Sequence, residues 1–583
     1  MKPRFSSGDI RTSREQDAGQ RCLRAGAAVQ RARRRAGLAA ALLLASLGQA
    51  GGAAAQPGPP DTIAAAAIRS LVVTGRLPAL GRPDLADQRD AIERLYVARD
   101  WRPLWHEGGE LLPAAATLGA LLARAEEDGL RAADYDAEWV AGTWTPAGTP
   151  PAAVAQVDVG LTVAALRYLH ARAHGRVDPR RLGVRLDRGR REGDLPAALA
   201  AAVPTGRLAA LADSMIPPTY QYHKVREALA RYRLLAANPP PAPPLDSAAL
   251  RPGDGWTGGP ALRHFLELTG DLDPGTRAPA EDTTYAGAVV TGLRRFQERH
   301  GLEPDGIIGR RTRAALRVPF AARVRQLELA LERLRWLPDL RGESFLLVNV
   351  PDFTLYAFDA ARGSSALPSR WMRVIVGRAV DTETPIFDER MRFVVFRPYW
   401  NVPSSIAGKE LLPPARRDPG WLDRNGYDLV RGNGPEDGPA VPVTLEALDS
   451  VAAGTLRIRQ RPGPQNALGR VKFIFPNAES VYLHDTPARG LFARERRDFS
   501  HGCIRVADPA WLASWVLRDQ PEWSADSVAA AMDGPLVPRT VRLTAPLRVI
   551  IFYATAGVRP DARVAFYEDV YGHDRALERA MAG

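Results

Sequence analysis

The spacing of apolar residues changes once along this chain, and that change limits what it can fold into. From residue 61 to about 233, segments such as AIRSLV, LGALLARAEEDGL and VGLTVAALRYLHARAHGR repeat apolar residues every three or four positions, the period of an amphipathic helix. The spacing predicts a further helix over 321–335, and then the period changes. LLVNVPDFTLYAF (346–358), MRVIVGR (372–378), RFVVFRPYW (392–400), VKFIF (471–475), SVYLHD (480–485) and LRVIIFYA (547–554) are rich in Val, Phe and Tyr and bounded by turn residues, so they read as strands. A helical half followed by a strand-rich half in 583 residues implies a multidomain α+β protein. No interior stretch offers 18 consecutive apolar residues, which argues against a polytopic membrane protein.

Turn and linker residues divide the chain further. The Pro-rich stretch 238–244 (NPPPAPP) is a stiff linker. After it, VVTGLRRFQERHGLEPDGIIGRRTRAAL places Val289, Leu293 and Phe296 on one helical face. Gly301 ends that helix, Pro304-Asp305-Gly306 makes a turn, and Gly309 opens a second short helix. The expected divisions are an N-terminal segment 1–55, a helical domain 56–250, a small helical module 255–320 and a mainly β domain 321–583. Within the last, 403–465 is a Gly-, Pro- and charge-rich insertion that reads as a cap, and strands over 545–572 close the domain.

The formal net charge of +12 and the two cysteines both depend on the first 55 residues. Residues 1–36 carry ten basic side chains against Asp9, Glu15 and Asp17, so most of the excess charge lies there. An uncharged segment, 37–55, follows with the apolar heart AALLLASL and ends in Ala53-Ala54-Ala55. That order reads as a secretory signal, with an uncleaved membrane anchor as the alternative. With the basic excess confined to it and no groove-reading motif elsewhere, a nucleic-acid binder is disfavoured. Cleavage would also remove Cys22 and leave Cys503 as the only thiol of an exported protein, either a buried inert residue or a reactive one.

The neighbours of Cys503 favour reactivity. It sits in Ser500-His501-Gly502-Cys503-Ile504-Arg505, and His484 closes a strand nineteen residues earlier. An imidazole beside a thiol can take its proton and stabilise the anion. Gly502 lets the backbone approach closely, so the N–H groups of Gly502 and Cys503 are candidate oxyanion donors, and Arg505 is a candidate carboxylate anchor or a surface ion-pair partner. A zinc site from Cys503, His484, His501 and an Asp lacks a second Cys or an H-x-x-x-H spacing. His170, His174 and His223 have no carboxylate or Cys at ligand spacing and read as structural.

These residues resemble the signature of the L,D-transpeptidases with a YkuD-type catalytic domain, H…[S/T]-H-G-C followed by an apolar residue and Asn or Arg. The resemblance extends to LLVNVPDFTLYAFD, TPIF, PYWNVPSSIAGKELLP and YLHDTPARGLFARERRDFSHGCIRV, which look like the large Gram-negative subgroup. DWRPLWHEGG, GLRAADYD and HGRVDPRRL resemble that subgroup's helical scaffold, and RVAFYEDVYGHD its closing strand. Phe296, Gln297, Gly301, Leu302, Asp305, Gly306, Gly309 and Thr312 resemble a three-helix peptidoglycan-binding module. Two positions depart from the pattern: Arg397 and Ala330 stand where Asn is expected.

The resemblance implies a periplasmic enzyme without metal or cofactor that joins peptidoglycan stem peptides by 3→3 cross-links through a thioester on Cys503. His484 would be general base and acid, oriented by the backbone carbonyl of Asp485, with the Asp485 side chain as rival. Ser500, His501, Gly502, Arg505, Tyr482, Tyr399, Trp400 and Asn401 would shape the oxyanion and substrate sites. It also implies covalent inhibition by carbapenems. A hydrolase trimming tetrapeptide stems and a non-catalytic wall-binding scaffold protein remain alternatives.

Overall fold

The computed structural model describes residues 62–146, 148–187, 193–275, 283–362, 367–380, 382–432 and 439–582. The expected signal at 1–55 lies outside the described residues. The protein is a multidomain α+β molecule: a helical scaffold, a small helical module and a C-terminal mainly β domain.

The scaffold wraps around one helix, Pro151–His174, nearly all of whose length is buried. It is long and apolar enough to cross a membrane, yet 78% of its most apolar window is buried inside the protein, which marks it as a core helix. A core helix carrying Asp158 needs partners for that carboxylate, and the sequence supplies them. The chain through 100–106 folds over the helix, with Asp100 and Trp101 at positive φ (53° and 62°). There Asp158, fully buried, accepts from the Tyr96 hydroxyl and from the backbone N–H groups of Leu104 and Trp105, each at 2.7 Å. His106 Nδ1 adds a fourth contact at 2.9 Å, and a short hairpin of β1 (His106–Glu107) and β2 (Glu110–Leu111) follows.

The small module has the expected form. Helices Gly259–Thr269, Gly287–Arg299 and Arg310–Leu316 enclose Val289, Leu293 and Phe296, each at most 1% exposed. Gln297 is fixed rather than free: its Nε2 donates to Asp305 Oδ1 at 2.8 Å, and its Oε1 accepts from the Gly306 N–H at 2.8 Å.

The connecting helix Phe320–Arg335 ties the parts together through buried charge. Glu332 Oε1 accepts from the N–H groups of Arg176 and Val177 at 2.6 and 2.9 Å. Arg335, 1% exposed, donates to Tyr222 Oη at 2.9 Å and to the Asp128 carbonyl. Arg333 pairs with Asp574 of the C-terminal helix. Gly175 sits at φ +84°, and a Cβ there would lie 2.4 Å from Glu332 Oε1, so only glycine fits.

The C-terminal half is built on one nine-stranded sheet of β3 (Phe345–Asn349), β4 (Thr354–Phe358), β5 (Arg370–Gly377), β6 (Phe387–Phe396), β10 (Val471–Ile474), β11 (Leu483–His484), β12 (Asp498–Ser500), β13 (Ile504–Val506) and β14 (Arg539–Phe552). It closes on itself because β5 pairs with β13 at one edge and with β4 at the other. Inserted after β6 is a separate cap with its own three-stranded sheet, β7 (Trp400–Asn401), β9 (Leu456–Gln460) and β8 (Tyr427–Arg431), several short helices and a core around Val402, Leu422, Leu429, Leu448 and Ile458.

The strand expectations need two corrections. SVYLHD contributes only Leu483–His484 to the sheet, because Ser480 turns at φ +55° and Asn477 binds the Val481 N–H and carbonyl in a loop. The closing region is split: β14 starts at Arg539, whereas β15 (Ala556–Val558) and β16 (Val564–Phe566) pair with each other, β16 resting its Phe566 ring 5.0 Å from Tyr232 of the scaffold.

Removing the Asp158 carboxylate leaves buried donors unpaired. Asp158→Ala should therefore destabilise the scaffold by about 3–5 kcal/mol, read as a lower denaturant midpoint of the full chain. An unchanged midpoint would show that the 100–106 segment is held by other contacts.

Candidate active site

Alternation along the barrel strands separates core from chemistry. Val471, Phe473, Leu483, Ile504 and Val506 point inward and are fully buried. The residues between them face outward, and three pairings bring those together: Lys472 lies opposite His484, His484 opposite Arg505, and the Ile504 N–H donates to the Tyr482 carbonyl at 3.0 Å. One outer face therefore carries Lys472, Tyr482, His484, Cys503 and Arg505.

His484 is buried, at 4% exposure. Its Nδ1–H donates to the Asp485 carbonyl at 2.5 Å, so Nε2 is left as the acceptor. The Asp485 carboxylate is turned away, accepting from the Arg470 N–H at 2.9 Å and from Arg489 at 3.3 Å. Burial first, then the Arg505 and Lys472 charges, push the imidazole down to about 3 against the pull of the Asp485 carbonyl. Cys503 is partly exposed, with Sγ 3.8 Å from the Ser480 carbonyl. Desolvation raises its thiol, opposed by hydrogen bonding at Tyr482 and by the charges of Lys472 and Arg505. The resting pair is thus a neutral thiol and a neutral imidazole.

The Ser-His-Gly-Cys turn is held from within and from the C-terminus. Ser500 Oγ donates to the Cys503 carbonyl at 2.5 Å and accepts from the Gly502 N–H at 3.2 Å. Of the two expected oxyanion donors, that of Gly502 is therefore engaged, whereas the Cys503 N–H makes no hydrogen bond among the described residues. Gly502 has φ +110°, a conformation that favours glycine. Its carbonyl accepts from Thr384 Oγ1 at 2.8 Å, and Thr384 is braced by the Tyr571 hydroxyl on its N–H at 3.2 Å.

The remaining candidates belong to the cap boundary. Trp400 packs on the cap core, and the Tyr482 ring stands edge-on to His484 with ring centres 5.7 Å apart. Tyr399 lies under the Arg459 guanidinium, 4.2 Å from its ring centre, and Asn401 is exposed, paired in the cap sheet with Arg459. His501 faces the cap, its Nε2 2.8 Å from Glu410 Oε1. Arg397, at the cap entrance, has φ +50°, a left-handed conformation that Asn takes more readily than Arg. Arg505 is half-buried with an unpartnered Nε. The sequence reading missed Lys472, Thr384, Tyr571 and Glu410. Lys472 is a basic residue at the outward position of VKFIF, and Thr384, Glu410 and Tyr571 lie inside TPIF, PYWNVPSSIAGKELLP and RVAFYEDVYGHD without standing out there. No group of three metal-ligating side chains occurs among the described residues.

Two measurements check these electrostatics. The His484 imidazole should stay neutral down to about pH 3–4 in an NMR titration, since protonation costs it solvation it does not have; a midpoint near the ordinary value of about 6.5 would refute the buried environment. In Lys472→Met, iodoacetamide alkylation of Cys503 should slow at fixed pH and its midpoint move up, because the ammonium no longer favours the thiolate. Lys472→Arg should retain most of the wild-type profile.

Family models match three parts of the chain: the L,D-transpeptidase catalytic domain (YkuD) over 343–538, a scaffold domain over 90–229, and a "Putative peptidoglycan binding domain" over 267–316. A Haemophilus influenzae protein described as "Putative L,D-transpeptidase" is 33% identical over 257 residues, 44% of this chain and 49% of the relative. The match thus spans about half the length of that curated relative. Among solved structures, the crystal structure of an L,D-transpeptidase from Xylanimonas cellulosilytica aligns at 15% identity and a TM-score of 0.16, covering 53% of this chain and all of that one. The chain therefore carries the catalytic domain of the L,D-transpeptidases, joined to a scaffold domain and a peptidoglycan-binding domain.

Proposed function

We propose that the chain is a periplasmic cysteine transpeptidase that links peptidoglycan stem peptides by 3→3 cross-links. The observation that carries this reading is the pairing of β11 with β13, which sets a buried imidazole with a free Nε2 on the same face as the Cys503 thiol.

In the first half-reaction, Cys503 Sγ attacks the carbonyl of the third stem residue while His484 Nε2 takes the thiol proton. The oxyanion develops against the free Cys503 N–H, with the Lys472 and Arg505 charges on the same face. The C–N bond breaks, His484 returns the proton to the leaving D-Ala amine, and a thioester remains. In the second half-reaction an amine from another stem attacks, His484 takes its proton, and the C–S bond breaks as the new amide forms. The thiol leaves with that proton.

The cap supports transfer over hydrolysis. It reaches the site through Glu410 on His501, and a covered thioester is shielded from water.

Purified protein incubated with a disaccharide tetrapeptide should release D-Ala and yield the cross-linked dimer, identified by mass. Cys503→Ala and His484→Ala should lower the rate at least a thousandfold. Tripeptide as the sole product would replace transfer by hydrolysis, and turnover by Cys503→Ala would remove the nucleophile assignment.

A further inference from the structure

A cleft of about 360 Å³ lies between the peptidoglycan-binding module and the catalytic barrel, well away from the Cys503 face. One wall is the end of the module around Gly301–Glu303 and Arg311; the other is built from β4, β5 and the run 493–497 that leads to the Ser-His-Gly-Cys turn. The two walls are fastened to each other, since the Glu303 N–H donates to Glu495 Oε1 at 2.6 Å and Arg311 pairs with Glu495 and Glu568.

Three features make this cleft a built site and not a seam. Trp371 is 49% exposed on β5, and Arg373, two residues on, faces the same way. Arg494 is exposed and makes no ion pair among the described residues, while the guanidinium of Arg497 donates only to backbone carbonyls, those of Arg494, Glu495, Asp352 and Phe353. The floor holds two orphaned polar atoms: Arg497 Nε and Asp352 Oδ1, each on a residue 9% exposed, have no hydrogen-bond partner. Burial and the adjacent Arg373 push the Arg497 guanidinium down to about 10 against the pull of Asp352, and burial pushes the Asp352 carboxyl up to about 6 against the Tyr356 hydroxyl, which donates to its Oδ2 at 2.8 Å, and the Arg497 charge.

A ligand that relieves this must bring an anion to the arginines, a donor to Asp352 and a flat apolar face to Trp371. A sugar carrying a peptide with free carboxylates and an amine has all three, and one wall of the cleft is a domain matched as peptidoglycan-binding. Strand β5 runs from Trp371 to Gly377, beside Ser500, a span of roughly 20 Å at ~3.3 Å per residue. From a sugar at Trp371 an extended stem reaches ~10 Å to its third carbonyl, about half of that span, so a stem held here runs toward the Ser-His-Gly-Cys turn without itself reaching Cys503.

We propose that this cleft is a second peptidoglycan subsite: Trp371 stacks on a sugar ring, Arg373, Arg494 and Arg497 take a stem carboxylate, and the stem is led along β5 toward Cys503. This rests on peptidoglycan being the substrate.

The test uses the full chain carrying Cys503→Ala, so that binding is read without turnover. Co-sedimentation with purified sacculi and titration with a soluble disaccharide tetrapeptide should both weaken at least tenfold in Trp371→Ala, with Trp371→Phe retaining most of the affinity. Arg494→Glu should weaken binding of the tetrapeptide-bearing sugar but not of glycan strands stripped of their stems. Unchanged binding in Trp371→Ala and Arg494→Glu, with unaltered melting temperatures, would overturn the subsite. So would heparin competing with sacculi in a manner indifferent to Trp371. Should Trp371→Ala fail to fold, the exposed Arg494→Glu decides alone. A wild-type protein that fails to turn over tetrapeptides while these variants still lose binding would remove the cross-linking reaction and leave the subsite standing.

Discussion

The pairing of β11 with β10 and β13 is the constraint on which the chemistry depends. Side chains on a strand alternate between faces, so a slip of one residue in β11 would send His484 into the barrel and Leu483 out of it. The register is fixed because the inward set (Leu483, Val471, Phe473, Ile504, Val506) fills the core of a sheet that closes on itself. Burying those five side chains contributes about 1.5–3 kcal/mol each, and the Leu483 share of that is lost if β11 slips by one residue. Hydrophobic packing thereby sets an imidazole on the same face as a thiol without any direct contact between the two having to do so.

What lies outside the barrel steadies this arrangement at a distance. The Gly502 carbonyl is held by Thr384, Thr384 by Tyr571, and Tyr571 is followed at once by the C-terminal helix, whose Asp574 pairs with Arg333. Arg333 lies on the connecting helix that also holds Tyr222, Asp128 and Val177 of the scaffold, the last through Glu332. A continuous chain of buried polar contacts thus runs from the scaffold to the turn that carries Cys503. Breaking one member of such a chain costs more than the bond itself, because its partners are left desolvated and unpaired.

How much of this was legible in the sequence follows from distance along the chain. Cys503, Gly502 and Ser500 declare themselves because a six-residue run contains them, and His484 because a short loop brings it back. The expected barrel strands also stand out, since each is a compact run of Val, Phe and Tyr. Lys472, Thr384, Tyr571 and Glu410 lie within recognisable runs, but nothing in those runs assigns them a role, because their placement around the Ser-His-Gly-Cys turn is made by register and chain return. The cap is legible as an insertion but not as a folded unit, because its core joins residues as far apart as Val402 and Ile458. In SVYLHD the composition of a strand was overruled by Asn477, whose side chain captures the backbone of Val481.

The same cations that favour the thiolate also make the imidazolium unstable, and this sets the order of proton movement in the proposed mechanism. Lys472 and Arg505 lower the thiol and the imidazole together, so within the pair their effects largely cancel and no ion pair accumulates at rest. The balance changes once Sγ is bonded to the substrate. The thiolate charge is gone, yet the proton on His484 still faces two cations in a buried setting. That imidazolium is a strong acid, and the nearest group able to take its proton is the departing amine. The electrostatics that delay the first transfer therefore drive the second, and leaving-group expulsion, usually the harder half of amide cleavage, gains most from the burial of His484.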